Sequence, residues 1–97
     1  MMITLIAKIT AHPGKEDQLA QECIRLAGEV REKEKDSLSY IPHVQAKNPA
    51  VIVFIEKYKD QDALNFHSQT SYFKEAMGKI KELTVGSAEI MVLKELL

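Results

Sequence analysis

The sequence predicts an α+β fold: a four-stranded antiparallel sheet with helices on one face, in the split βαβ, ferredoxin-like order. Three observations predict it. Apolar runs and helical stripes follow one another as strand, helix, strand, strand, helix pair, strand. Turn residues fall between them, and no linker, repeat or low-complexity stretch divides residues 1–97, so the chain reads as a single domain. At least two strands are apolar on both parities, which is the pattern of strands covered on both faces.

Met2 to Thr10 is rich in β-branched and apolar residues and reads as the first strand. His12-Pro13-Gly14 is a turn. From Lys15 the apolar positions Leu19, Cys23, Leu26, Ala27 and Val30 form the stripe of an amphipathic helix. The mixed run "REKEKD", Arg31 to Asp36, reads as the solvated end of that helix, because its charges alternate in sign. Leu38 to Lys47 is a second strand, whose Pro42 suits an edge or a bulge. Lys47-Asn48-Pro49 reads as a turn, and Val51 to Tyr58, "VIVFIEKY", as the third strand. Asp60 can cap a short helix, Gln61 to Ser68, and Thr70 or Ser71 can cap the next. In that last helix Phe73, Ala76, Met77, Ile80 and Leu83 make a stripe, which Gly86 ends. Ser87 to Leu96 is the fourth strand.

One layer of helices covers one face of such a sheet. Strand one carries Ile3, Leu5 and Ile9 on one parity and Met2 and Ile6 on the other; strand three is likewise apolar on both. A second copy, packed sheet on sheet about a two-fold axis, is the simplest cover for the remaining face. The sequence therefore predicts a homodimer.

Composition removes several classes. A net charge of −1 supplies no basic field for nucleic acid or anionic lipid. The longest wholly apolar run, Ala50 to Ile55, is far short of the ~20 residues that span a bilayer. No basic segment precedes the apolar N-terminus, so no secretory signal is read, and a cytoplasmic protein is expected. Cys23 is the one cysteine, which excludes an intrachain disulfide and a cysteine-cluster metal site. It lies in the helical stripe and reads as a small core residue.

Few residues remain for chemistry near neutral pH. Glu56 interrupts the third strand and shares a side with Ile52, Phe54 and Tyr58. A carboxylate there is either buried and paired or lines a polar spot in a cavity. His67, among Phe66, Tyr72 and Phe73, would share a helix side with Ala63, Leu64 and Ser71. By composition alone it reads as a satisfied core histidine as readily as a ligand contact. His43 sits on a half-polar parity and reads as exposed, and His12 as exposed beside its turn. No phosphate-binding glycine loop, dinucleotide fingerprint or zinc-protease motif occurs.

The segment "VIVFIEKYKDQDALNFHSQTSYFKEAM" resembles the core signature of the antibiotic biosynthesis monooxygenase (ABM) domain. The matching positions are Glu56, Tyr58, Ala63, His67, Ser71 and Phe73, with Tyr40 in "SLSYIPHVQAKNP" at an aromatic position of the second strand. "HPGKEDQL" is similar to the family's helix start. The resemblance covers essentially the whole chain and looks nearest to a quinol-oxygenase and autoinducer-2-processing branch. It implies a dimeric α+β barrel with a pocket between sheet and helices, and oxygenation of small quinols or anthrones by dioxygen without metal or flavin.

In that reading His67 stands at the family's histidine and is the candidate base. Glu56 is a polariser or support, and Tyr40, His43, Phe54, Tyr72 and Phe73 meet the substrate. Two departures stand out. Asp36 replaces a glycine common before the second strand, where Asp tolerates a left-handed turn. Tyr72 replaces a His or similar polar residue. The haem-degrading branch is also similar, but its axial histidine maps to Met77 and its tryptophan to His67, so haem degradation is not expected.

Three readings follow. The first is a cofactor-independent monooxygenase or related enolising enzyme, including isomerase-like processing of a small phosphorylated carbonyl signal. The second is a non-catalytic small-molecule binding dimer. The third is a structural dimer whose pocket is filled by its own side chains, and the space beside His67 separates it from the others.

Overall fold

The computed structural model describes residues 1–97. Seven elements follow in order: β1 (Ile3–Thr10), α1 (Glu16–Lys33), β2 (Ser37–Gln45), β3 (Asn48–Tyr58), α2 (Gln61–Gln69), α3 (Ser71–Leu83) and β4 (Glu89–Lys94). The strands form one antiparallel sheet in the order β2-β3-β1-β4. This is the α+β, ferredoxin-like fold that the order of patterns predicts.

Alternation assigns the two faces. Register pairs Leu5 with Glu56 and with Val92, and Tyr40 with Glu56. Leu5, Tyr40, Glu56 and Val92 therefore share the face on which the helices lie. Against it, α1 buries the stripe read from sequence: Leu19, Cys23, Leu26, Ala27 and Val30. Leu26 is fully buried, and shortening such a side chain to Ala costs about 2–5 kcal/mol. α3 adds Ala76 and Ile80 to the same core.

The other face carries Ile6, Ile41, Ile55, Met91 and Leu93. No element covers it, and Ile41, Ile55, Met91 and Leu93 are exposed.

The short helices are fixed by their caps. The Asp60 carboxylate accepts from Ala63 N at 2.9 Å and starts α2. Thr70 Oγ1 accepts from Phe73 N at 3.3 Å to start α3, and donates to the His67 carbonyl at 2.9 Å. One hydroxyl thus ties the end of α2 to the beginning of α3.

Some boundaries differ from the sequence reading. β3 begins at Asn48, so Pro49 lies inside the strand and the turn is Ala46-Lys47. A proline at a strand's beginning is compatible with pairing. Pro42 does lie on an edge strand, but the register irregularities fall at Ser37/Ser39 and Val44/Gln45. Asp36 does not enter the left-handed region: only Gly14, at φ 87°, and Gly86, at φ 65°, have positive φ.

Candidate active site: a histidine held between a carboxylate and an apolar cavity

A cavity of about 150 Å³ lies between the sheet and α2–α3. Leu5 and Ala7 of β1, Phe54 and Glu56 of β3, and Leu64 and Met77 of the helices form much of its wall. His67, Tyr40 and Phe73 also line it. Ile90 of β4 lines one side and is largely exposed, so the cavity reaches the surface there.

His67 is 2% exposed. Its position on α2 follows from the Asp60 cap, which puts Ala63 and His67 one turn apart on the inward face. Aromatic rings enclose it, with centroids of Phe73, Tyr40 and Tyr58 at 4.5, 5.0 and 5.6 Å. Its Nδ1 meets Glu34 Oε2 at 3.0 Å and Oε1 at 3.2 Å. Glu34 is itself 5% exposed and also accepts from the Tyr72 hydroxyl. Burial pulls the His67 imidazolium below its ordinary titration range, against the hydrogen bond and charge of Glu34. The ring is then neutral near pH 7, and a neutral imidazole has one bare nitrogen.

Glu56 is the second titratable group on the cavity wall. Its Oε1 accepts from the Tyr58 hydroxyl at 2.6 Å. Burial pushes the carboxyl up to about 7; the Tyr58 bond restrains the rise and the charge of Glu34 adds to it. Near neutral pH the cavity therefore presents a neutral imidazole and a carboxyl that is protonated about half the time. Opposite displacement of two neighbouring groups is how one site holds a base and an acid together.

Of the residues singled out from sequence, His67, Glu56, Tyr40, Phe54 and Phe73 come together on this cavity. Tyr72 does not line it; its hydroxyl lies behind His67, on Glu34. His43 is placed elsewhere. It pairs with Val53, on the parity opposite Tyr40 and Glu56, and is exposed, with Nδ1 3.0 Å from the Ile41 carbonyl. One odd step along β2 puts a side chain on the far face of the sheet.

Glu34 is the residue that sequence reasoning missed. "REKEKD" reads as a solvated helix end, yet Glu34 turns inward. A signal was present: it lies four residues after Val30, so it continues the buried stripe of α1. No group of three or more His, Cys, Asp or Glu side chains is arranged to hold a metal ion.

A family model described as "Antibiotic biosynthesis monooxygenase" (ABM) matches residues 2–79. The chain belongs to this family. It is 29% identical over 90 residues to the Bacillus subtilis (strain 168) protein named "Putative monooxygenase YcnE", covering 93% of this chain and 94% of that one. Among solved structures, one from Caulobacter crescentus CB15 superposes with a TM-score of 0.94 at 27% identity, covering 99% and 91% of the two chains. One from Pseudomonas aeruginosa gives 0.87 at 30% identity, covering 99% and 95%. The match to the ABM model includes β1 to β3, α2 and most of α3, and so every residue of the cavity named above except Ile90.

Proposed function

We propose that this ABM chain is a cofactor-independent monooxygenase acting on a small, electron-rich ring compound of the quinol type, with His67 as its base. The single observation that supports this most is a buried His67, with Glu34 on its Nδ1, on the wall of an apolar cavity. Membership of the ABM family and the name of the Bacillus relative point the same way.

The chemistry asks little of the protein. A phenol titrates near pH ~10 and an imidazole near ~6.5, so a positioned histidine assists deprotonation without carrying it out in bulk solution. The resulting phenolate or enolate passes one electron to dioxygen. Recombination gives a hydroperoxide, which loses water to leave a carbonyl. One oxygen atom enters the product and the other leaves as water. Glu56, in its protonated form, donates to the substrate's oxygen. Tyr40, Phe54 and Phe73 pack against the ring and exclude water.

The size and lining of the cavity refine the substrate. A space of about 150 Å³ is that of a site for a single benzene-sized ring. Single-ring quinols fit it; a three-ring anthrone would need it to widen toward Ile90. No lysine or arginine lines it, so nothing there pairs with a phosphate, which disfavours a phosphorylated carbonyl substrate. The same dimensions leave room for a ligand, which disfavours a purely structural dimer.

The reading includes a homodimer. The exposed row Ile41, Ile55, Met91 and Leu93 is an apolar sheet face of the kind a second copy covers.

The experiment is isotopic. Turnover of single-ring hydroquinones under ¹⁸O₂ should give a product carrying one ¹⁸O atom. Product whose new oxygen comes from water, or no product, would overturn the proposal.

A further inference from the structure

We propose that Glu34 is the positioning residue of this site: it holds His67 as the Nδ1–H tautomer, and Tyr72 shares the same carboxylate as a second donor. The catalytic part of this inference rests on the reading of His67 as the base; the tautomer does not.

The geometry is a chain of three side chains from three elements. Tyr72, at the start of α3, donates to Glu34 Oε2; Glu34, just past the end of α1, receives His67 Nδ1 at 3.0 Å; His67 closes the chain from α2. A carboxylate only accepts, so Nδ1 must carry the hydrogen and Nε2 must be bare. A free histidine side chain prefers the opposite tautomer, in which Nε2 carries the hydrogen and cannot serve as a base. The protein's choice of partner at Nδ1 therefore decides whether the site has a base at all. A carboxylate on the far nitrogen also stabilises the imidazolium formed when Nε2 takes a proton.

Glu34 is well placed to stay put. It is nearly sealed, and both its oxygens are engaged by His67. On its other side it borders a polar surface cleft of about 380 Å³ that also touches Lys33, Lys35, Asp36 and Asp60. His67 is faced by other titratable groups too: Tyr40 from β2, Tyr58 and Glu56 from β3. None of these is in hydrogen-bond contact with its ring; Glu34 is.

The test is the ¹⁵N spectrum of the histidine side chains through a pH titration, with the exposed His12 and His43 as internal controls. Wild-type His67 should show a protonated Nδ1 and an unprotonated Nε2 above its midpoint. Glu34→Gln should lower the midpoint and reduce the Nδ1–H population. Tyr72→Phe should move the midpoint the opposite way, because Glu34 loses a competing donor and binds His67 more strongly. A merely structural contact would not give shifts of opposite sign. An Nε2–H tautomer in the wild type, or a midpoint unmoved by Glu34→Gln, would overturn the proposal. Should Glu34→Gln fail to fold, Tyr72→Phe decides: a midpoint that falls or stays still contradicts the chain. With an active quinol in hand, Glu34→Gln should lower kcat about 10²-fold with KM little changed. The spectra stand whatever the substrate proves to be, so failure of the oxygenase reading and failure of this one are separable.

Discussion

The Tyr58 hydroxyl donates to Glu56 Oε1 at 2.6 Å, two residues apart on the inward face of β3 and both nearly sealed from solvent. The bond gives a buried carboxyl one good partner inside an otherwise apolar wall. It does not remove the cost of ionising there, so the carboxyl titrates at about 7.

That value makes a stability prediction. A carboxyl at about 7 when folded and about 4.5 when unfolded binds its proton more tightly in the folded state. Its contribution is fully present below pH ~4.5 and is lost as pH rises through about 7. The loss is about 3 kcal/mol, at ~1.4 kcal/mol per pKa unit. Urea unfolding of wild type and Glu56→Gln at pH 4.5 and 8 measures it. We expect Glu56→Gln to gain on the wild type across that range by this amount. A difference that does not change with pH would show that Glu56 is not held near neutrality.

Activity should be bell-shaped in pH. The rising limb follows deprotonation of His67, whose range lies below that of an ordinary histidine. The falling limb follows Glu56 at about 7. Steady-state kcat/KM from pH 5 to 9 reads both. Glu56→Gln should abolish the falling limb, and Tyr58→Phe should move it upward, since the Tyr58 bond holds the Glu56 value down.

The Thr70 hydroxyl joins two helices and, through the His67 carbonyl, the end of the segment that carries the candidate base. Thr70→Ala should cost about 1 kcal/mol, the usual price of a lost N-cap. It should also weaken activity by loosening the helix end at His67. Thermal unfolding and turnover, measured on one preparation, check both; a variant with wild-type stability would contradict the capping role.

Ile55→Arg puts a charge in the middle of the bare sheet face while leaving the helical face untouched. Sedimentation should show a dimer for the wild type and a monomer for the variant. A monomeric wild type would remove the sheet-to-sheet dimer.

Cys23 is fully buried and its thiol is pushed up to about 12, chiefly by burial. It should not react with a thiol reagent in the folded protein and should react on unfolding in urea.

The fold was legible because each element carried its own period. The stripe from Leu19 to Val30 and the capping positions Asp60 and Thr70 are local signals, and local chemistry set the helices they begin. Strand ends were less legible, because pairing partners rather than local sequence decide them; Asn48 joins β3 by facing Gln45. At the site, the parity of β3 placed Glu56 and Phe54 correctly. His43 is exposed, as its strand parity implies, and the substrate contact drawn for it from the family resemblance does not lie on this cavity. Glu34 was hidden by its charged neighbours, and its partners, His67 and Tyr72, lie 33 and 38 residues away in the chain.

Whether His67 is a base acting on a ring compound in the cavity is measured most directly by dioxygen uptake at pH 7 by wild type and His67→Ala with a single-ring hydroquinone, both proteins confirmed as folded. We expect uptake well above autoxidation for the wild type and a fall of about 10²-fold or more in the variant. Equal uptake by the two, or none above autoxidation by either, would contradict it.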